Sequence, residues 1–222
     1  MKMGVPQSQC NENAMWIESD RRVYYEGDII MNTIIKSCNG ISVAPIESQL
    51  LCDRKLFIEG PITVASACEF VKTIMFLVKA DANAPIDVYI NSTGGKIYGA
   101  GLLIYDTLKG IETEINYHCF EAASMAALIL AGGKKGHRFI LQHSRTMIHE
   151  PLMEGEGGGS ASEIKRRAED IMKIKQLEID LLSADTGKTR EEIGAAILYD
   201  NYMNAEESIA FGLCDAIEPS VV

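Results

Sequence analysis

Hydrophobic residues change their spacing repeatedly along the chain from about residue 56 onward. Short apolar runs typical of buried β-strands alternate with longer stretches whose apolar positions recur every three or four residues, as in helices. The first helical stretch places Val64, Ala67, Val71, Ile74 and Val78 on one face. This alternation predicts an α/β fold with at least a partly parallel sheet. The strand-like runs are residues 56–58, 86–90, 115–120, 138–141, 146–148 and 213–217.

Three pairs of polar residues mark helix starts in the second half of the chain. In each pair a serine, threonine or asparagine precedes a glutamate by three positions, which is a capping-box pattern. The pairs are Ser160 with Glu163, Thr189 with Glu192, and Asn204 with Glu207.

The pattern after Ser160 predicts a long helix that follows a glycine-rich, acidic run at residues 155–159, which we expect to be flexible. One stripe of this helix is apolar and needs a partner surface. It consists of Ile164, Ala168, Ile171, Ile174, Leu177 and Leu181.

The first 48 residues carry a weaker pattern. Trp16-Ile17 and residues 22–25 are compatible with short strands, and residues 26–28 are typical of a turn. We therefore expect an amino-terminal segment of unassigned structure and role over residues 1–48, followed by a single domain over residues 49–222.

Composition and charge narrow the classes of function. The chain has 222 residues, 47% of them hydrophobic and 23% charged, so it can bury a full core. Its net charge of -10 disfavours binding to nucleic acid or to an anionic membrane surface. The densest basic cluster, residues 165–167, is followed by Glu169 and Asp170 and is typical of a solvated helix face.

The six cysteines show no C-x-x-C pair and no regular spacing, which disfavours both a zinc site and a disulfide framework. We expect neither a metal nor a cofactor. No apolar signal region or membrane-spanning stretch is visible in the sequence, so a cytoplasmic location is expected.

Ser124 is the candidate nucleophile, because it lies where a strand-like run gives way to a helical one. There its hydroxyl and the N–H of Met125 both face the positive end of the helix. Gly94-Gly95 ends another strand and lets a backbone N–H approach a substrate carbonyl, and His149, at the end of a third strand, is the candidate base.

Each of these features has a more ordinary interpretation. Serine at a helix start usually caps the helix, and a Gly-Gly pair after a strand is usually a turn. The other histidines, which we expect to lie in the core or on the surface, compete with His149 for the role of base. They are His118, His137 and His143.

Three sequence blocks, taken together, favour the catalytic interpretation. They are Tyr89-Ile90-Asn91-Ser92-Thr93-Gly94-Gly95, Glu121-Ala122-Ala123-Ser124-Met125 and Ser144-Arg145-Thr146-Met147-Ile148-His149-Glu150-Pro151. In order and spacing they resemble the signature blocks of the Clp protease proteolytic subunit. The likeness extends over about residues 50–217.

The resemblance implies a role for each matching residue. Ser124 would attack the peptide carbonyl, His149 would transfer its proton, and the N–H groups of Gly95 and Met125 would hold the oxyanion. Asp200 lies where the family has the acid that orients the histidine. Gly94 and Pro151 would line the bound substrate. The acids that compete with Asp200 belong to the long helix and are Asp170, Asp180 and Asp185.

The resemblance also implies a spiral of strand-strand-helix repeats, shared with crotonases, from which a handle of about residues 150–186 projects. Such subunits form seven-membered rings, singly or as stacked pairs, and degrade polypeptides delivered by an unfolding Clp ATPase. The sequence departs from the family at three positions. Thr93 replaces a usual proline, Ala126 a usual glycine, and Tyr199 an arginine used for ion pairing between rings.

Three alternatives remain open on the sequence alone. The chain could be a ring subunit that assembles with, or regulates, an active paralogue. It could be an acyl-CoA enzyme of the crotonase type, which the pairing of Ser124 with His149 disfavours. It could also be a capsid maturation protease of the phage type, which shares the peptidase chemistry.

Overall fold

The computed structural model describes residues 15–16, 23–24, 29–30, 32–37, 40–153 and 158–220. The chain divides into two units, Met1–Asp53 and Arg54–Val222. The predicted turn at residues 26–28 and residues 155–157 of the predicted flexible run lie outside the described residues.

The described residues of the smaller unit form short antiparallel strands and one helix. Three strands form one sheet in the order β1-β2-β3, and β4 pairs with β5 in a separate hairpin. The strands predicted at residues 16–17 and 22–25 overlap β1 and β2. The elements are β1 (Met15–Trp16), β2 (Val23–Tyr24), β3 (Ile29–Ile30), β4 (Asn32–Ser37), β5 (Gly40–Pro45) and α1 (Ile46–Cys52).

Strands and helices alternate in the larger unit, as the apolar spacing predicts. A kinked helical turn at Ile97–Gly101 precedes its second helix. The elements are β6 (Lys55–Glu59), α2 (Val64–Ala80), β7 (Ile86–Ser92), α3 (Leu102–Gly110), β8 (Ile115–Ala123), α4 (Met125–Ala131), β9 (Arg138–Ile148), α5 (Ala161–Thr186), α6 (Arg190–Ala196), β10 (Asn201–Asn204), α7 (Ala205–Phe211) and β11 (Ala216–Glu218).

A mixed sheet organises this unit. Strands β6, β7, β8 and β9 are parallel neighbours in that order. On the other side of β9, β11 pairs parallel with its first half and β10 pairs antiparallel with its second half. The predicted α/β fold with a partly parallel sheet is therefore confirmed.

Strand β9 differs from the sequence prediction, which divided it into runs at residues 138–141 and 146–148. The structure has one strand, in which the register with β8 shifts so that Cys119 lies opposite Ile140 but Glu121 lies opposite Arg145. The polar residues between the two apolar runs occupy this irregular stretch. The backbone nevertheless continues as one strand, because β10 and β11 pair with its two halves.

Helix α4 lies at the centre of the hydrophobic core, with all seven of its residues buried. Helix α2 buries Ala67, Phe70, Ile74 and Leu77. The two ends of helix α5 differ in burial. Ile179 and Leu182 toward its carboxyl end are buried, whereas residues 161–170 are exposed. The predicted apolar stripe is therefore covered only toward its carboxyl end, where α5 contacts α4 and α6.

All three predicted helix starts are confirmed as capping boxes. The Ser160 hydroxyl accepts from the N–H of Glu163, whose carboxylate accepts from the N–H of Ser160 at 2.8 Å. Thr189 with Glu192 and Asn204 with Glu207 make the same reciprocal pairs. Each box satisfies two backbone donors that a helix start otherwise leaves without partners.

Within the described ranges, no helix combines the length and the apolar character needed to cross a lipid bilayer.

Candidate active site

Ser124 forms the junction between β8 and α4 and has an unusual backbone conformation. Its φ is +55° and its ψ is -125°, a combination that costs a non-glycine residue about 1–3 kcal/mol. The N–H of Ser124 donates to the carbonyl of Met147 at 2.7 Å, which ties the junction to β9. The side chain makes no capping hydrogen bond, so the hydroxyl does not act as a helix cap.

His149 lies between Ser124 and Asp200. Its Nε2 is 2.9 Å from Ser124 Oγ, and its Nδ1 is 3.1 Å from Asp200 Oδ1. The sheet explains this arrangement, because Ile148 at the end of β9 lies directly opposite Asn201 at the start of antiparallel β10. The residue after one strand and the residue before the other are therefore neighbours.

The hydrogen-bonding chemistry of Asp200 and Ser124 determines which ring nitrogen of His149 carries the proton. An ionised Asp200 carboxylate can only accept a hydrogen bond, so the neutral imidazole of His149 carries its proton on Nδ1. Nε2 is then the acceptor for the Ser124 hydroxyl. This is the arrangement that a general base needs before it takes a proton from a hydroxyl nucleophile. Asp200 is the most exposed member, with 59% of its side chain accessible against 15% for His149.

The Gly94-Gly95 segment is held beside this junction by Ile62. The N–H of Ile62 donates to Gly94 at 2.8 Å, and the carbonyl of Ile62 accepts from Lys96 at 2.9 Å. In this parallel bridge the N–H of Gly95 points away from Ile62 and, among the described residues, has no acceptor of its own. The N–H of Met125, in the first turn of α4, likewise has no acceptor within its helix.

Gly94 packs closely against the same junction. A Cβ atom at this position would lie 2.7 Å from Ser124 Cβ and 3.0 Å from the backbone nitrogen of Met125. Only glycine fits here, and its φ of +89° is also one that glycine adopts without strain.

The competing histidines have other surroundings. His118 bonds to Glu218 at 2.8 Å and stacks on Tyr89, with ring centroids 4.6 Å apart. His137 lies 2.9 Å from Asn116, and His143 is exposed on β9.

The competing acids are also engaged elsewhere. Asp185 accepts from Tyr105 at 2.8 Å and from Lys109 at 2.7 Å. Asp170 pairs with Lys173, and Asp180 pairs with Arg190. Asp200 is thus the aspartate that the fold brings to His149.

A narrow cavity opens beside Ser124 and His149. Pro151 lines it, and Gly94 lies against the serine junction. One wall comes from α5 and contains Glu178, a residue that the sequence analysis missed. The signal was present, since Glu178 lies within the three- and four-residue spacing of Ile174, Leu177 and Leu181.

Glu178 has an unusual titration. Burial, together with repulsion from Glu150, raises the pKa of Glu178 to about 8, although Lys175 acts in the opposite direction. Lys175 is itself paired with Glu150.

The described residues contain no group of three or more histidine, cysteine, aspartate or glutamate side chains placed to hold a metal ion.

Comparison with known protein families gives a match to the family described as Clp protease, over residues 39–220. The match covers more than half of the chain and includes all the candidate site residues. It begins upstream of the domain start predicted at residue 49.

Proposed function

The chain belongs to the Clp protease family, and on that premise we propose that it is a serine endopeptidase in which Ser124, His149 and Asp200 form the catalytic triad. The observation that carries the proposal is the pair of hydrogen-bond distances on either side of His149, 2.9 Å to Ser124 and 3.1 Å to Asp200. The first distance lies within the range over which a base can take a proton from a nucleophile, and the second is a hydrogen bond through which a third group can orient that base.

The first half of the reaction forms an acyl-enzyme. Ser124 Oγ attacks the carbonyl carbon of the peptide bond while its proton passes to His149 Nε2. The N–H groups of Gly95 and Met125 donate to the oxyanion that develops. The carbon–nitrogen bond then breaks, and the leaving amine takes the proton from His149.

The second half releases the acid product. Water attacks the ester carbonyl and gives a proton to His149, after which the bond to Ser124 Oγ breaks and that oxygen takes the proton back. Asp200 keeps the imidazole in the tautomer that both halves require. The strained backbone of Ser124 supports its role as the nucleophile, because such a turn between strand and helix keeps the nucleophile accessible.

The working form in this proposal is a homo-oligomeric ring of seven subunits, singly or as a stacked pair. It encloses the active sites and takes unfolded polypeptides from a Clp ATPase. The exposed first half of α5 supports assembly, since Ile164 and Met172 keep 47% and 53% of their surface accessible on this helix. The chain itself supplies the peptidase and not the ATPase.

A fluorophosphonate probe tests the chemistry directly. The assembled protein should be labelled at Ser124, and labelling should be lost in Ser124→Ala and His149→Ala. Peptide hydrolysis should fall on the order of 10⁶-fold in kcat when the serine is removed. His143→Ala, which changes an exposed histidine on β9, should keep both labelling and hydrolysis.

Two results would contradict the proposal. One is an assembled wild-type protein that the probe does not label. The other is proteolysis that is unchanged by Ser124→Ala, which would instead favour a ring subunit that assembles with, or regulates, an active paralogue.

A further inference from the structure

The narrow cavity beside Ser124 and His149 lies where a side chain next to the cleaved bond of a bound peptide would enter. Its walls are mostly apolar, and its volume in the empty site is only about 20 Å³, so the walls must separate when a substrate side chain enters. Such a pocket favours a substrate residue with a hydrocarbon body. The apolar walls are formed by Ile97, Leu102, Leu128, Ile174, Leu177 and Leu181.

Glu178 is the exception in this lining. Its Oε2 atom is buried and has no hydrogen-bond partner in the described part of the chain. A buried oxygen without a donor costs about 1–3 kcal/mol, and more if it is charged. Because Glu178 lines the cavity, a ligand that enters and widens it could supply the missing donor.

The charged groups around Glu178 do not neutralise its carboxylate. On its own helix, Lys175 pairs with Glu150, which follows β9. The other titratable group that lines the cavity is His149, and both of its ring nitrogens are bonded to Ser124 and Asp200. The carboxylates of Glu178 and Glu150 thus share a single permanent cation, Lys175. When both carboxylates are ionised, this group of side chains carries a net charge of about -1.

We propose that Glu178 determines specificity, selecting substrates whose residue before the cleaved bond is arginine or lysine. The apolar walls would hold the methylene stem of such a side chain, and Glu178 would bind its cationic end. This inference rests on the proposed peptidase function and adds the class of substrate to it.

The protonation of Glu178 gives this selection a pH dependence. Burial and the neighbouring Glu150 carboxylate keep the pKa of the empty site at about 8, so the carboxyl group is mostly protonated at neutral pH. A cationic side chain that binds there must displace this proton into solvent. Above pH 8 the proton is already gone, and the preference for a cation should be strongest.

Matched peptides test the proposal. One carries arginine before the cleaved bond and the other carries citrulline, which has nearly the same shape but no charge. We expect the ratio of kcat/KM for arginine over citrulline to be about tenfold or more at pH 8.5 and to decrease toward pH 6. Because both peptides use the same triad, the titration of the triad cancels in this ratio.

Two single substitutions test whether Glu178 causes the preference for arginine. Glu178→Gln keeps the size of the side chain and should bring the ratio close to one at every pH. Glu169→Gln, an exposed change on the same helix, should leave the ratio and its pH dependence unaltered. A wild-type ratio near one at pH 8.5, or a ratio that Glu178→Gln does not change, would overturn the proposal.

A binding measurement separates this inference from the peptidase itself. In the full chain carrying Ser124→Ala, calorimetry at pH 8.5 should show tighter binding of a peptide ending in arginine than of one ending in citrulline. Adding Glu178→Gln should abolish the difference. If the protein binds the arginine peptide more tightly but shows no cleavage that depends on Ser124, only the peptidase proposal is wrong. If it cleaves and binds both peptides equally well, only the proposed role of Glu178 is wrong.

Discussion

Arg138 is a fully buried cation that the fold surrounds with acceptors. Its guanidinium binds both oxygens of Asp215, at 2.9 Å and 2.5 Å, and donates to the carbonyls of Ala131 and Gly212, each at 2.9 Å. An ion pair with a fully buried cation is costly to break from the acidic side, because the buried guanidinium then keeps no opposite charge.

Asp215→Asn should therefore destabilise the protein by about 2 kcal/mol, less than for a fully enclosed pair because 18% of the Asp215 side chain is accessible. Urea denaturation at matched protein concentration measures this loss. The control is Asp170→Asn, which removes an exposed ion pair with Lys173 and should change the free energy of unfolding by less than about 1 kcal/mol. If both substitutions changed the free energy of unfolding equally, the pair of Arg138 with Asp215 would stabilise the protein no more than an exposed pair does.

The same pair makes an acid-dependent contribution to stability. Burial alone would raise the pKa of Asp215, but the hydrogen bonds and charge of Arg138 outweigh it and hold the pKa below its ordinary value. Stability from a carboxyl group with a lowered pKa is fully present above the unfolded pKa of about 3.9 and disappears as the pH falls through the folded pKa.

The stability difference between wild type and Asp215→Asn should consequently stay constant from pH 7 to about pH 5 and shrink below about pH 4. Urea denaturation at a series of pH values measures it. A difference that vanishes already near pH 6 would show that another group is responsible.

At the scale of elements, the candidate site depends on how closely two connections approach each other. The segment after β7 carries Gly94, and the junction between β8 and α4 carries Ser124. A side chain at Gly94 would meet Ser124 Cβ and the Met125 nitrogen at 2.7 Å and 3.0 Å, so the two connections would have to separate.

Gly94→Ala should lower kcat/KM by about 100-fold, because shifts of about 1 Å at a catalytic centre have effects of that size. The matched control is Gly136→Ala, since Gly136 has a φ of +91° against +89° for Gly94 but has open space around it. Both variants carry similar backbone strain. Only Gly94→Ala should lose activity, and equal losses would mean that strain and not crowding is responsible.

At the scale of the whole molecule, the exposed part of α5 is the feature that a single chain leaves incomplete. Every residue from Ala161 to Asp170 is exposed, yet the apolar stripe continues through this stretch. In the proposed ring, neighbouring subunits would cover these apolar side chains and remove them from water.

Ile164→Glu should therefore weaken assembly at least tenfold, because it would bury a carboxylate between subunits. Sedimentation velocity over a dilution series measures this against wild type, whose mass should be seven or fourteen times the chain mass of 24.3 kDa. Ser162→Glu adds the same charge to an exposed position of α5 and should leave assembly unchanged. Unaltered sedimentation of Ile164→Glu would argue against subunit contacts at this stripe.

Much of this architecture could be predicted from the chain alone, because the signals are local. Spacings of two, three and four residues reflect which side of a strand or helix faces the core, and three capping boxes place helix starts within one turn. The likeness of the three sequence blocks then proposed Ser124 and His149, and the place of the acid in the same family proposed Asp200, although local pattern alone could not choose among four histidines.

The remaining features arise from contacts between residues far apart in sequence. The antiparallel pairing of β9 with β10 brings Asp200 to His149 across 51 positions of the chain. The positive φ of Ser124 depends on how β8, α4 and β9 meet, and the unpartnered oxygen of Glu178 depends on what packs around α5. Periodicity identifies which residues face inward, but only tertiary packing decides which of them meet and which polar atom stays without a partner.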